Sequence, residues 1–257
     1  MPTAVITLCD QGARVAQRVS ERLAGCRIFV HDIVTEPIDA ERFPSVVALT
    51  ARIFSDFRKF VYIAPCGVVV RAIAPLVRHK LTDPAVVVVD VGGRHAVSLL
   101  SGHEGGANEL ALAVANAIGA EPVISTTTEA AKSLTVGVGC RRGTPAAPIV
   151  GAIREALDRV GASPGDVRFL ASADLKSDEA GLIEAASELG LALRFISADE
   201  ICSTAKDFCH SDFVANKVNL PAVAEPSALL AGRRTTLILN KTIINGVTVA
   251  VARENCL

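Results

Sequence analysis

Tryptophan is absent from this 257-residue chain, tyrosine and methionine occur once each, and aromatic residues make up only 4% of it. Ring faces on which bases or sugars stack are therefore scarce. With 26 basic against 27 acidic side chains, the formal charge of −1 provides no global field for nucleic acid or an anionic membrane. No apolar run reaches the roughly 18 residues that a membrane span needs, and the N-terminus lacks the charged-then-apolar order of a signal peptide, so a cytoplasmic location is expected. Seven scattered cysteines include no CxxC pair, which excludes the usual zinc and dithiol motifs and predicts reduced thiols. Cys209 beside His210, with Cys202 upstream, offers too few ligands for a metal. The GxSxG elbow, the GxxxxGK[ST] loop, the HExxH helix and the dinucleotide fingerprint are all missing.

What is present is a 50% apolar composition, rich in short alanine and valine runs, ample for one large or two ordinary α/β cores. TAVITLCDQG followed by ARVAQRVSERLAG reads as strand, turn and amphipathic helix. FVYIAPCG and VVVVD (Val86 to Asp90) read as buried strands, and a helix is predicted over about Ala107 to Ile118. The alternation predicts two α/β units with mainly parallel sheets covered by helices, residues 1–130 and 131–257. The second should end in a strand hairpin, TTLILNK with VTVAVARE, turning at Asn245 and Gly246. If the strands of the first unit are parallel, Asp10 to Gly12, Pro65 to Gly67 and Ser101 to Gly106 project to one edge, where such sheets bind ligands.

Within LLSGHEGGAN, glycines 102, 105 and 106 permit close backbone approach, and the free amides of the helix that follows are expected to face an anion. His103 and Glu104 stand in that turn, where a histidine can act as acid or base with a carboxylate to orient it, or can simply cap carbonyls. Asn108 caps the helix or donates to a ligand carbonyl. Arg71 follows the Pro-Cys-Gly turn, as do Arg78, His79 and Lys80, and Arg94 and His95 follow Gly92 and Gly93. These cations sit where bidentate binding of carboxylates is useful. GVGCRRG sets Arg141 and Arg142 between Gly139 and Gly143, ahead of another helix. Lys176 in ADLKSDEAGL and Glu225 in VAEPSALLA stand at further helix starts, where capping and dipole stabilisation compete with ligand contact. Together these turns suit a large polyanionic small molecule.

PCGVVVRAIAPLVRHKLTDPAVVVVDVGG, LLSGHEGGANELA, PVISTTTE, VGVGCRRGTP, DLKSDEAGL, VAEPSALLA and VTVAVARE resemble, in order, the CbiG family of vitamin B12 biosynthesis, the cobalt-precorrin 5A hydrolases. The second unit also resembles CobE. Two departures stand out: a middle segment present in many members shrinks here to Ala130–Thr135, and Val91 occupies the place of an acid after Asp90. The resemblance implies opening of a δ-lactone on a cobalt-containing corrinoid, with loss of the methylated meso carbon as acetaldehyde. It implies no cofactor of the protein's own, since the cobalt is carried by the substrate. It implies partners among the other enzymes of cobalamin biosynthesis. In that setting His103 is expected to activate water or ligate cobalt, and Glu104 to orient His103. Turn amides at Gly102, Gly105 and Gly106 should stabilise the oxyanion. Arg71, Arg141, Arg142 and Lys176 should hold the peripheral carboxylates, and Asn108, Gly139 and Glu225 should also contact the substrate, in a cleft served by both units. A corrinoid carrier without catalysis is the alternative.

Overall fold

The computed structural model describes residues 2–208 and 220–255, so the Cys209–His210 pair lies outside the described residues. The chain divides into two compact units, Met1–Thr126 and Thr127–Leu257. Among the described residues no helix is long and apolar enough to cross a membrane.

The first unit runs β1 (Thr3–Thr7), α1 (Asp10–Arg22), β2 (Cys26–His31), β3 (Glu41–Phe43), α2 (Val46–Ile53) and β4 (Lys59–Ile63). It continues with α3 (Cys66–Ile73), β5 (Ala85–Val89), β6 (His95–Leu100), α4 (Ala107–Ile118) and β7 (Glu121–Val123). The seven strands are ordered β3-β2-β1-β4-β5-β6-β7. The run of β-branched residues in β5 is buried along its whole length because helices cover both faces of the central strands. On one face Ala16 and Val19 of α1 and Leu110, Ala111 and Val114 of α4 pack on Val5, Val61, Val87 and Val89. On the other, Leu49 and Ile53 of α2 and Val69 and Ile73 of α3 pack on Ile6, Phe60, Tyr62 and Val88. Full burial contributes about 1.5–3 kcal/mol for each such large side chain, so α4 is held mainly by its inward stripe.

One pairing redirects the functional argument. β5 and β6 are antiparallel, whereas β1, β2, β3, β4 and β5 run parallel. Only Asp90 to Arg94 join β5 to β6, far too few residues for a parallel crossover, which needs a dozen or more. Gly93, at φ 68, and the Asp90 carboxylate, which accepts amide hydrogens from Gly92, Arg94 and His95, close this reversal. The Ser101–Gly106 turn therefore leaves the sheet at the edge opposite Asp10–Gly12 and Pro65–Gly67, and the expectation of one shared edge is corrected.

The second unit comprises α5 (Thr127–Ala130), β8 (Leu134–Gly139), α6 (Ala146–Arg159), β9 (Val167–Ala173), α7 (Ala180–Leu189) and β10 (Leu193–Ile196). Then come α8 (Ala198–Ser203), α9 (Ala224–Leu230), β11 (Thr235–Ile244) and β12 (Val247–Glu254). The order is β10-β9-β8-β12-β11, with β8, β9 and β10 parallel and β12 antiparallel to both its neighbours. The hairpin turns at Asn245 (φ 50) and Gly246 (φ 81), as the Asn-Gly pair predicts. Ile149, Ile153 and Leu182 from α6 and α7 fill one face of this sheet, and Ala224, Ala228 and Leu229 of α9 cover the other.

Candidate functional site

In the turn after β6, Ser101 adopts φ 59, left-handed backbone that costs an L-residue about 1–2 kcal/mol. Its hydroxyl is buried without a hydrogen-bond partner. A Cβ on Gly105 would collide with the Ser101 Cβ, and one on Gly102 would lie 2.6 Å from Thr126 Cγ2, so both glycines answer to packing inside the turn. Gly106 takes φ 81 at the N-cap of α4.

Several of the amides expected to face an anion are engaged. Those of Gly105 and Ala107 donate to Ser101 O, that of Gly106 to His103 O, and that of Asn108 to Gly102 O. The loop thereby satisfies the helix start itself. Asn108 is buried; its Oδ1 accepts from Ser98 Oγ at 2.9 Å and its Nδ2 donates to Thr126 Oγ1 at 3.0 Å. It ties β6, α4 and the segment after β7 together, so it is a positioning residue for the turn. His103 and Glu104 are exposed on the rim. Lys80 Nζ donates to Glu104 Oε1 at 2.7 Å, and this contact holds the Glu104 carboxyl below the ordinary range. Lys80 thus belongs to the Ser101–Gly106 edge rather than to the Pro65–Gly67 crevice. Arg71 folds back on its own helix, Nη1 to Gly67 O at 3.1 Å. Asp10, in the first turn of α1, anchors the 35–36 loop by accepting from the amides of Thr35 and Glu36.

At the opposite edge a cavity of about 430 Å³ opens beside α3. Its lining includes Val88, Val97 and Val123, which stand in register across β5, β6 and β7, with Pro65 and Cys66 at the start of α3 and Asp90, Val91 and His95 from the β5–β6 reversal. Burial opposes the charge on Asp90, but the amides of His95, Gly92 and Arg94 prevail and hold its carboxyl below the usual value. His95 Nδ1 lies 3.4 Å from Asp90 Oδ2. Asp90 had no functional role in the sequence reading. The signal for it was the five-residue link, which forces a reversal capped by an acid.

In the second unit, Gly139 ends β8 and leads into the Arg141–Arg142 turn. Arg142 binds Asp178 in a fork, with 2.9 and 3.1 Å contacts, and the pair lowers the Asp178 pKa and raises that of Arg142. Lys176 Nζ donates to Glu179 Oε2 at 3.2 Å, while Glu179 Oε1, deep in the fold, accepts the Gly143 amide at 2.7 Å. Arg141 is exposed. Glu225 is only 2% exposed and accepts the Lys241 amide at 2.7 Å, which joins α9 to β11. A Cβ on Gly137 would overlap Ala224 O, and one on Gly181 would overlap Thr144 O. Among the described residues no group of three or more His, Cys, Asp or Glu could hold a metal ion.

Residues 48–129 match the family described as Cobalamin synthesis G N-terminal, and residues 134–252 that described as Cobalamin synthesis G C-terminus. The chain is similar to the cobalt-precorrin-5A hydrolase of Priestia megaterium, 28% identical over 306 residues that take in 81% of this chain and 82% of the relative. That alignment is longer than the chain's own 257 residues, so the relative has a long stretch without counterpart here. The cobalt-precorrin-5A hydrolase of Salmonella typhimurium (strain LT2) is 49% identical over 88 residues, covering 34% of this chain and 25% of that protein. Protein CobE of a Sinorhizobium species is 34% identical over 128 residues, 49% of this chain and 83% of the relative.

Proposed function

Because the chain belongs to the CbiG family and so serves cobalamin synthesis, we propose that it hydrolyses the δ-lactone of cobalt-precorrin 5A and releases acetaldehyde to give cobalt-precorrin 5B. One observation carries the placement of the chemistry: Ser101, strained and with an orphaned buried hydroxyl, underlies the turn that presents His103 and Glu104. Backbone strain and unmet polar groups persist where a site requires them. His103 takes the proton of the attacking water, whose oxygen bonds to the lactone carbonyl carbon, and returns it to the ring oxygen as the ring C–O bond breaks, leaving a carboxyl group and an alcohol. Glu104, fixed by Lys80, orients the imidazole. Since the amides of Gly105, Gly106, Ala107 and Asn108 are used within the loop, the Lys80 ammonium is the group that meets the developing oxyanion. In the second step a base removes the alcohol proton, the carbonyl of acetaldehyde forms, and the electrons of the broken carbon–carbon bond pass into the macrocycle. Cobalt comes with the substrate, and the protein needs no cofactor of its own.

Incubating the protein with the cobalt-containing lactone and trapping aldehyde tests this reading. His103→Ala should bind the pigment and lower acetaldehyde release at least a hundredfold, in keeping with the usual worth of a general base. Undiminished release by that variant refutes the assignment. The engaged loop amides favour one second reading, a corrinoid carrier, which predicts binding by the unaltered protein with no aldehyde at all.

A further inference from the structure

The cavity beside α3 has the two parts that a flat, metal-centred ring requires: an apolar floor and one oriented nitrogen donor. Val88, Val97 and Val123 line it side by side, and His95 stands in its wall with Nδ1 facing Asp90. Histidines that ligate metals almost always donate a hydrogen bond from the other ring nitrogen to a carboxylate or carbonyl, which fixes the tautomer and raises the basicity of the ligating nitrogen. Asp90 is built for that task. Three backbone amides keep it ionised and immobile, and among the described residues Nε2 of His95 has no hydrogen-bond partner. A metal that already holds four ring nitrogens needs only one protein donor, so the absence of a multi-ligand cluster is no obstacle.

We propose that His95, positioned by Asp90, is the axial ligand that the protein offers to the cobalt of a bound corrinoid, with the ring edge lying on the Val88–Val97–Val123 floor. The assignment rests on the corrinoid reading above and competes with its choice of catalytic base, since the lactone is fused to the ring that surrounds the cobalt. At about 430 Å³ the cavity is smaller than a fully substituted macrocycle, so the ring enters by one edge and its carboxylate arms stay in solvent. In this pose His103 is excluded as the cobalt ligand that the sequence also offers. His95 begins β6 and the turn bearing His103 ends it, a separation of roughly 20 Å along an extended strand, so the two imidazoles cannot serve the same cobalt.

Cob(II)yrinic acid, a corrinoid with free carboxylate arms and no nucleotide base, is the probe. Binding is followed by absorption, and the axial donor by electron paramagnetic resonance, where one coordinated imidazole nitrogen splits the cobalt lines into triplets. The unaltered protein and His103→Ala should both show the triplet. His95→Ala should lose it while binding the corrinoid within about tenfold of the parent affinity (~1.4 kcal/mol), and added imidazole should restore it. Asp90→Asn should lower the nitrogen-coordinated fraction severalfold. A triplet that survives His95→Ala overturns the proposal, as does sulfur-ligated cobalt that disappears in Cys66→Ser. Corrinoid binding without any nitrogen coupling overturns it and leaves the substrate reading intact. No binding by the unaltered protein overturns both.

Discussion

Replacing Ser101 should make the first unit more stable and the site worse. Two costs meet at this residue: left-handed backbone, about 1–2 kcal/mol for an L-side chain, and a buried hydroxyl with no partner, about 1–3 kcal/mol. Ser101→Gly removes both and adds back roughly 1 kcal/mol of chain entropy, so a net gain of about 1.5 kcal/mol is expected. Ser101→Ala keeps the strain and sheds only the hydroxyl, for a gain of about 1 kcal/mol. The chain contains no tryptophan, and its single tyrosine, Tyr62, is fully buried in the first unit. Intrinsic fluorescence during urea unfolding therefore reports that unit alone. With a urea slope of roughly 2 kcal/mol per molar, Ser101→Gly should move the midpoint up by about 0.7 M. Acetaldehyde release should fall in both variants, the trade expected where strain belongs to a working site. A loss of more than about 0.5 kcal/mol in either variant would mean that the hydroxyl is bonded and the strain argument fails.

Two further predictions concern the frame around the sites. The amides of Glu36 and Thr35 hold the folded Asp10 carboxyl below its ordinary value of 3.8. Its stabilising contribution is therefore complete above that value and disappears as pH falls through the lower folded one. Asp10→Asn should flatten the acid limb of the Tyr62 unfolding profile, and an unchanged limb would remove Asp10 from the account. Gly137→Ala places a methyl group against Ala224 O and must push α9 off β8, at a cost of about 3 kcal/mol read from thermal melting by circular dichroism. A cost below about 0.5 kcal/mol would show that α9 yields freely.

The alternation of elements was legible because its signals are local. The stripe Leu110, Ala111 and Val114 needs no neighbour to be read as one buried helix face, and Asn245–Gly246 declares its turn outright. What could not be read was the direction of β6, although the constraint was in plain view: five residues cannot carry a parallel crossover. Treating Ser101 to Gly106 as another strand-to-helix passage placed His103 on the wrong edge and gathered Lys80, Arg71 and the glycines around a single imagined crevice.

The glycines carry a deeper ambiguity. A missing Cβ reveals that something approaches closely, but not what approaches. At Gly105 it is Ser101, at Gly137 the backbone of Ala224, and at Gly181 the backbone of Thr144. The charged residues follow the same logic, since Arg142, Lys176 and Glu225 each find a partner within their own unit. His95 has a different environment. It stands at a cavity wall where the floor is apolar and where, among the described residues, its imidazole has beside it a carboxylate locked by three amides. Helix starts and glycine turns satisfy themselves with main-chain groups, whereas an exposed imidazole with one nitrogen beside a fixed carboxylate is open to a ligand from outside the chain. That asymmetry, invisible until the β5–β6 reversal brought Asp90 and His95 together, argues that the cobalt of the ligand is read at this edge.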